Sequence, residues 1–520
     1  MKLFALIGFL TILSACHGYR ILGLFPYNGK SHFVMFEQLM KALARKGHQV
    51  DVVSTFPLKK PYPNYNDIIV LPATTHLINN FTFDNIHDMM KRASTSHTSA
   101  VLFGTEICEA LGDPRIQQLA KNPPNDPPYD AVITEVFGAH CYLAIGHLLK
   151  VPIIGVSSAI LYPWHHDLIG NPHNLAYAAN NLITLPEQMN FWQRAYNFLH
   201  STYHEMSFLY FSSPQTEIAR KYLGDDIPDV RTLEKNISMI LVNSHISMNG
   251  VKTMTPALIE VGGLHVTEEG VELPPSLEKW MNESTSGFIY FSFGSMVKIE
   301  SFPMKHLEIF YNSLGKIAPV RVLMKIPNPN ELPPGLPKNI YTSPWIPQVK
   351  VLKHPNVKAF ITHGGLMGTQ EAIHYGVPLI GIPLFADQFI NINTYVRANV
   401  AIGLDLDTLT EEKLDKALNA VLHDPQYRET AKKVSAKFLD RPLSSADTAV
   451  FWTEYIIRHG ANALKSPAMN LTWWQQQLLD VYLFLLGVAF LAIYIVVCAV
   501  RFAFGLINVE QTPSGKKKLS

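Results

Sequence analysis

The sequence predicts an α/β protein of two facing Rossmann-like domains followed by a single C-terminal transmembrane helix. Three observations carry that prediction. Two series of short apolar runs alternate with helical periodicity, a stretch rich in Gly, Pro and Glu separates them, and 20 uncharged, mostly apolar residues lie near the end. The length of 520 residues suits two large domains. Lys plus Arg number 43 against 42 Asp plus Glu, a net charge of +1, with 16% charged and 48% hydrophobic residues. That balance excludes the basic footprint of a nucleic-acid binder and the composition of a disordered chain. Four cysteines, Cys16, Cys108, Cys141 and Cys498, are too few for a disulfide scaffold or a cysteine-based zinc site. Whether Cys108 and Cys141 pair stays open, because a sequence holds no distance between them.

Taken in order, residues 1–18 (MKLFALIGFLTILSACHG) read as a signal peptide: Lys2, an apolar run to Ala15, then small Cys16 and Gly18 around a cleavage point before Tyr19. Residues 19–248 form the first domain. Its opening strand is RILGLF at residues 20–25, and a polar loop at 26–31 follows. Phe33, Phe36, Met40 and Leu43 then mark a helix that stops at Gly47, and HQVDVVS at 48–54 is the next strand. Apolar runs at 131–133 and 151–156 continue the sheet. Residues 249–277, with Gly262-Gly263 and Pro274-Pro275, read as a linker. The second domain, 278–465, has strands at 288–293, 321–325, 359–362 and 379–382, and a helix opened by Thr410 with Glu411 and Glu412.

Residues 466–480 form a juxtamembrane segment, and 481–500 span the bilayer, since a helix of that length covers a hydrocarbon core of roughly 30 Å. No Lys or Arg lies between Lys465 and the span, whereas Arg501 and Lys516, Lys517 and Lys518 follow it, so the tail 501–520 is expected in the cytosol and the body in a lumen. Lysines third and fourth from the C-terminus resemble the dilysine retrieval signal of endoplasmic-reticulum membrane proteins. Sequons at Asn80, Asn236, Asn282 and Asn470 suit a lumenal body.

Ligands of doubly wound sheets sit outside the carboxyl ends of the strands, so two facing domains imply a cleft between them. Polar residues concentrate there between Trp345 and Gln388. The strand at 359–362 runs into His363, Gly364 and Gly365 and then a helix, a turn whose backbone N–H groups favour an anion such as a pyrophosphate. Such a turn alone is ordinary loop chemistry.

The whole box, however, resembles the donor-site signature of the UDP-glycosyltransferase family. Trp345 and Gln348, His363 eighteen residues after the Trp, Glu371 eight further on, and Asp387 with Gln388 sixteen beyond that keep the family's spacing. The turn GGLMGTQEA resembles invertebrate members. This likeness implies the GT-B arrangement and a set of roles. Trp345 stacks on uracil, Gln348 bonds the nucleoside, and Glu371 accepts from the ribose hydroxyls. His363 and Ser295 face the phosphates with backbone donors near Gly365, Gly368 and Thr369, while Asp387 and Gln388 hold the sugar hydroxyls. Met367 stands where many vertebrate members carry Asn, which removes one side-chain contact to the phosphates. His32, in the loop after the first strand, matches the family's catalytic base. Glu135, after the strand ending at Thr134, stands where vertebrate members have the Asp that backs the base, with Asp130 as the fallback.

The resemblance therefore implies direct, inverting displacement at a sugar carbon, with no metal and no cofactor beyond the UDP-sugar co-substrate. It implies a small lipophilic hydroxylated acceptor for detoxification or hormone or pigment conjugation, glucose as the preferred sugar, and a type I endoplasmic-reticulum membrane location, with room for a homo-oligomer. A glycolipid-forming transferase of ceramide type is the alternative within enzymes. An idle carrier of lipophiles is the alternative outside them, suggested by aromatic residues such as Phe191, Trp192, Tyr196 and Phe198.

Overall fold

The computed structural model describes residues 18–73, 78–92, 94–186 and 188–510. The expected signal peptide up to residue 17 and the dilysine tail lie outside them. By its contacts the chain divides into a body ending at Lys465 and a second unit starting at Ser466.

The body holds two all-parallel sheets. The first has seven strands: β1 (Arg20–Phe25), β2 (Gln49–Ser54), β3 (Tyr65–Val70), β4 (Ala131–Glu135), β5 (Ile153–Ser157), β6 (Ile237–Val242) and β7 (Leu258–Glu260), in the order β3-β2-β1-β4-β5-β6-β7. Its central strands are apolar and buried on both faces, with Ile21, Leu24, Val132, Ile133, Ile154 and Ile240 inaccessible, as strands covered by helices on both sides must be. Between β1 and β2 runs α1 (Lys30–Arg45), whose Phe33, Phe36, Leu39, Met40 and Leu43 recur at helical spacing and are buried. Gly47, at φ +96, takes the left-handed turn after it that a Cβ would strain. The segment 249–277 is not only a linker, because β7 lies inside it and pairs with β6 through Leu258–Ile240 and Ile259–Leu241. Three residues are too few to show periodicity, so the strand comes from edge pairing. Further along the first domain, α2 (Phe191–Phe211) begins with a capping box between Asn190 and Gln193.

The second sheet comprises β8 (Phe288–Ser292), β9 (Arg321–Lys325), β10 (Ile340–Ser343), β11 (Val357–Thr362), β12 (Leu379–Gly381) and β13 (Ala401–Gly403), ordered β10-β9-β8-β11-β12-β13. Alternation along β8 divides its side chains between two cores: Phe288 and Tyr290 enter one, Ile289 and Phe291 the other. Helix α3 (Leu366–His374) follows β11 and α4 (Gln388–Arg397) follows β12. Near the end of the body, α5 (Ser445–His459) returns to the first domain, where Ala449, Val450 and Ile456 join its core and Glu454 Oε1 meets His48 Nε2 at 3.0 Å. The second unit contains α6 (Leu479–Glu510). Residues Leu479–Phe504 of it are long and apolar enough to cross a membrane, about 39 Å at the helical rise, and enclose the expected span.

Candidate active site

Both domains line one cleft of about 1480 Å³. On the first domain's side, His32 stands in the first turn of α1 and Glu135 is the last residue of β4, so the carboxyl edge of the sheet brings together two groups 103 residues apart. His32 Nδ1 lies 2.6 Å from Glu135 Oε1, with the Glu135 side chain 4% exposed and that of His32 21% exposed. Ser158 Oγ donates to the same oxygen at 3.4 Å. The carboxylate fixes the proton on Nδ1 and leaves Nε2 as the accepting nitrogen. Glu's extra methylene is thus accommodated. Asp130, the fallback, sits at the opposite end of β4 and accepts from the Arg20 N–H at 2.8 Å, out of His32's reach.

Aromatic rings surround His32. Tyr27 and Phe137 meet it edge-on at 4.8 and 5.0 Å, Phe103 stacks on Phe137, and Tyr162 borders Phe137 at 5.9 Å. All four line the cleft, which gives the surroundings of the base an aromatic character. Phe103 is carried by a π-helical turn, Val101–Thr105, an irregularity common beside functional sites. A disulfide between Cys108 and Cys141, Cα atoms 6.1 Å apart, ties the segment after that turn to the one after Phe137. By contrast, Phe191, Trp192, Tyr196 and Phe198 are exposed on α2 and do not line the cleft.

The opposite wall belongs to the second domain. Ser295, Trp345, Gln348, His363, Gly365, Gly368, Glu371, Asp387 and Gln388 all border the cavity. Trp345 is 53% exposed, which makes it a platform for a ligand and not a core aromatic. Behind it runs a hydrogen-bonded chain: the Tyr290 hydroxyl donates to Gln348 Oε1 at 3.0 Å, and Gln348 Nε2 donates to Glu371 Oε2 at 2.6 Å. Burial pushes the Glu371 carboxyl up to about 7, against the opposing pull of Gln348. The His363 ring is wedged between two glycines. A Cβ on Gly294 would come within 2.7 Å of Cε1 and one on Gly365 within 2.8 Å of Nε2. Burial, reinforced by the charge of Lys325, drives His363 down to about 3, so the ring is neutral.

Asp387 precedes α4 and accepts from Asn391 Nδ2 at 2.9 Å, and burial raises its carboxyl above the usual range. Gln388 Oε1 accepts from the N–H groups of Leu384 and Phe385 at 2.9 and 3.0 Å, so its amide N–H groups are what it offers a ligand. Met367 turns toward the first domain, where Asn243 Nδ2 approaches its sulfur at 3.4 Å.

One expected residue does not belong here. Thr369 is inaccessible; its N–H donates to Gly365 O at 3.1 Å and its hydroxyl meets Leu366 O and the Tyr395 hydroxyl, within α3 and behind it. Gly368 and Glu371, three apart, share the cleft face, and Thr369 lies a further 100° around the helix. Conversely, sequence reasoning passed over Lys325. It ends β9 at the carboxyl edge, the signal that could have found it, and lines the cleft with its Nζ 5.9 Å from the Trp345 ring centroid.

Residues 22–512 match the family model described as UDP-glucoronosyl and UDP-glucosyl transferase. UDP-glucosyltransferase 2 of Dactylopius coccus is 38% identical over 489 residues, 93% of each chain. UDP-glucuronosyltransferase 2B15 of Homo sapiens is 28% identical over 511 residues, 94% of this chain and 93% of that one. Among solved structures, a UDP-glucosyltransferase from Polygonum tinctorium capable of glucosylating indoxyl, in complex with 3,4-dichloroaniline, superposes with a TM-score of 0.57 at 15% identity over 85% of this chain and 99% of that one. The glycosyltransferase VinC, in complex with dTDP, gives 0.56 at 16% identity over 85% and 100%. Those likenesses show the fold, two facing parallel-sheet domains in the GT-B arrangement. The chain belongs to the UDP-glycosyltransferase family.

Proposed function

We propose that the protein transfers glucose from UDP-glucose, with inversion and without a metal or cofactor, to a hydroxyl of a small lipophilic acceptor. The observation that carries this reading is the His32–Glu135 pair, 2.6 Å apart, opening into the same cleft as Trp345, Glu371 and Asp387. The acceptor hydroxyl lies among Tyr27, Phe103, Phe137 and Tyr162 and gives its proton to His32 Nε2 as its oxygen attacks the anomeric carbon. Glu135 stabilises the imidazolium that forms. The bond to UDP breaks on the opposite face, and the leaving diphosphate is held by the helix start at 363–368, Ser295 and Lys325. Uracil stacks on Trp345, the ribose hydroxyls donate to Glu371, and the sugar hydroxyls meet Asp387 and Gln388.

Glucose over glucuronate is supported by the invertebrate-like turn GGLMGTQEA and by the likeness to the UDP-glucosyltransferase of Dactylopius coccus. The apolar helix and the charge bias around it support a lumenal body anchored in the endoplasmic reticulum. The test is UDP release in microsomes from UDP-glucose, UDP-glucuronate and UDP-galactose, with phenols and ceramide as acceptors and with EDTA present. Acceptor-dependent release from UDP-glucose that disappears in His32→Ala is the expected result. Release with ceramide alone would replace the acceptor class, and UDP binding without release would replace the activity by carriage.

A further inference from the structure

The first domain reaches across the cleft. Residues 79–86 follow β3, yet Ile86, 3% exposed, is part of the second domain's core, with Phe81 and Phe83 packed against the same cluster. The backbone pairs as well. Asn79 N donates to Ser295 O at 2.9 Å, Phe81 N to Met296 O at 3.0 Å and Lys298 N to Phe81 O at 3.0 Å, and the Phe83 N–H reaches Ser301 Oγ at 2.9 Å. Phe81 meets Phe385, two residues before Asp387, at 5.6 Å, and Phe83 meets Phe302 at 5.2 Å. This clasp thus touches the donor wall at both of its ends.

Its first residue touches a charge. Lys325 Nζ donates to Asn79 Oδ1 at 2.6 Å and to Gly294 O at 2.7 Å. Both acceptors are neutral, and among the described residues no carboxylate forms an ion pair with Lys325, although the residue is only 5% exposed. A buried ammonium without a counterion is costly, and its third N–H has the cleft to point into, beside the glycine turn at 363–365. Two fixed acceptors leave that one direction. The groups that bear on Lys325 are Glu300, whose charge favours the ammonium, the neutral His363 and the Trp345 ring. Burial outweighs Glu300 and pushes Lys325 down to about 8.

We propose that Asn79 is a positioning residue supplied by the first domain: its side-chain carbonyl aims the Lys325 ammonium at the donor's diphosphate, so the donor site is complete only when residues 79–86 clasp the two domains. This rests on the UDP-sugar reading above. It makes donor affinity depend on a residue outside the donor domain, 246 positions before the lysine it holds.

The experiment compares full-length wild type, Asn79→Ala and Asn79→Asp in microsomes, neither change altering the sequon at Asn80. KM for UDP-glucose and for a phenol is measured from pH 6 to 9.5, with UDP binding measured in parallel. Wild type is expected to lose donor affinity as pH rises through about 8, where Lys325 loses its proton. Asn79→Ala is expected to raise KM for UDP-glucose about ten-fold, the worth of one misdirected charge-assisted hydrogen bond, with KM for the phenol and kcat within about two-fold. Asn79→Asp is expected to move the alkaline rise in KM upward by about one pH unit, because a carboxylate beside the ammonium keeps it protonated. A merely structural Asn79 would lower the amount of active enzyme and leave both KM values and the pH limb in place, which overturns the proposal. Equal increases in both KM values overturn it too. A wild type that neither releases nor binds UDP refutes the donor reading itself.

Discussion

Replacing Glu135 by Gln keeps the size and the hydrogen-bond acceptor opposite His32 Nδ1 and removes the charge. While the imidazole is neutral, before proton transfer, little changes, because Gln Oε1 can still accept from Nδ1–H. Once the imidazole takes the acceptor's proton, the wild-type pair is an imidazolium and a carboxylate in contact at 2.6 Å, with the Glu135 side chain 4% exposed. Charge centres roughly 4 Å apart at an effective dielectric constant near 20 attract by about 4 kcal/mol, which corresponds to roughly a thousand-fold in rate. Allowing for incomplete proton transfer in the transition state, Glu135→Gln should lower kcat by roughly 100- to 1000-fold. KM for UDP-glucose should stay within about two-fold, since Glu135 does not line the donor wall. Initial rates of UDP release at saturating donor and acceptor measure both quantities. A kcat within three-fold of wild type would refute the dyad, and a rise in donor KM with unchanged kcat would refute the assignment of Glu135 to the chemical step.

The burial that holds the Glu371 carboxyl up to about 7 gives donor binding a pH dependence of definite sign: the carboxylate is the form that accepts from two hydroxyls, so affinity for UDP should rise from pH 6 to 8 with proton release, and Glu371→Gln should flatten the profile in calorimetric titrations. In the ligand-free protein the same raised value favours folding below the ordinary carboxylate range and loses that contribution as pH rises through about 7, so Tm should decline more steeply across that window in wild type than in Glu371→Gln, where Glu205, also raised to about 7, still contributes. The Cys108–Cys141 bond closes a loop with a sequence separation of 33, worth about 3–4 kcal/mol on chain-entropy grounds; the double Cys→Ser variant should unfold at correspondingly lower denaturant, and an unmoved midpoint would refute the estimate.

The fold's central strands were legible because parallel strands buried on both faces are continuous apolar runs, as in RILGLF of β1 and FIYFS of β8. Edge strands were not. β7 and β13 close an edge of each sheet with three residues each and exist through pairing with a neighbour, whereas β12, equally short but internal, extends an apolar run long enough to notice. The donor wall was legible for a different reason: 345–388 is one continuous stretch, so its spacing survives in sequence. Thr369 is the instructive miss, since helical geometry alone puts it on the face of α3 away from Gly368 and Glu371. The aromatic wall was illegible, because Tyr27, Phe103, Phe137 and Tyr162 come from four separate loops and turns.

The division between the two walls has a consequence for how the site is assembled. His32 and Glu135 are held within one domain, at a helix start and at the end of a strand of its sheet, and the donor residues from Trp345 to Gln388 within the other. What chemistry adds is a relation between them: the accepting nitrogen of His32 must face the anomeric carbon from the side opposite the diphosphate, and an error of about 1 Å there can cost 10²-fold in rate. No contact within either sheet fixes that distance. Contacts between the domains fix it: α5 returns from the second domain to the first domain's core, residues 79–86 reach from the first domain into the second's, and Gln370 of α3 donates to Asn243 O at 3.2 Å and accepts from the Gly263 N–H at 3.0 Å. The two crossings run in opposite directions along the chain and lie outside the motif that identifies the family, so motif spacing reveals only part of what sets the alignment of base and donor.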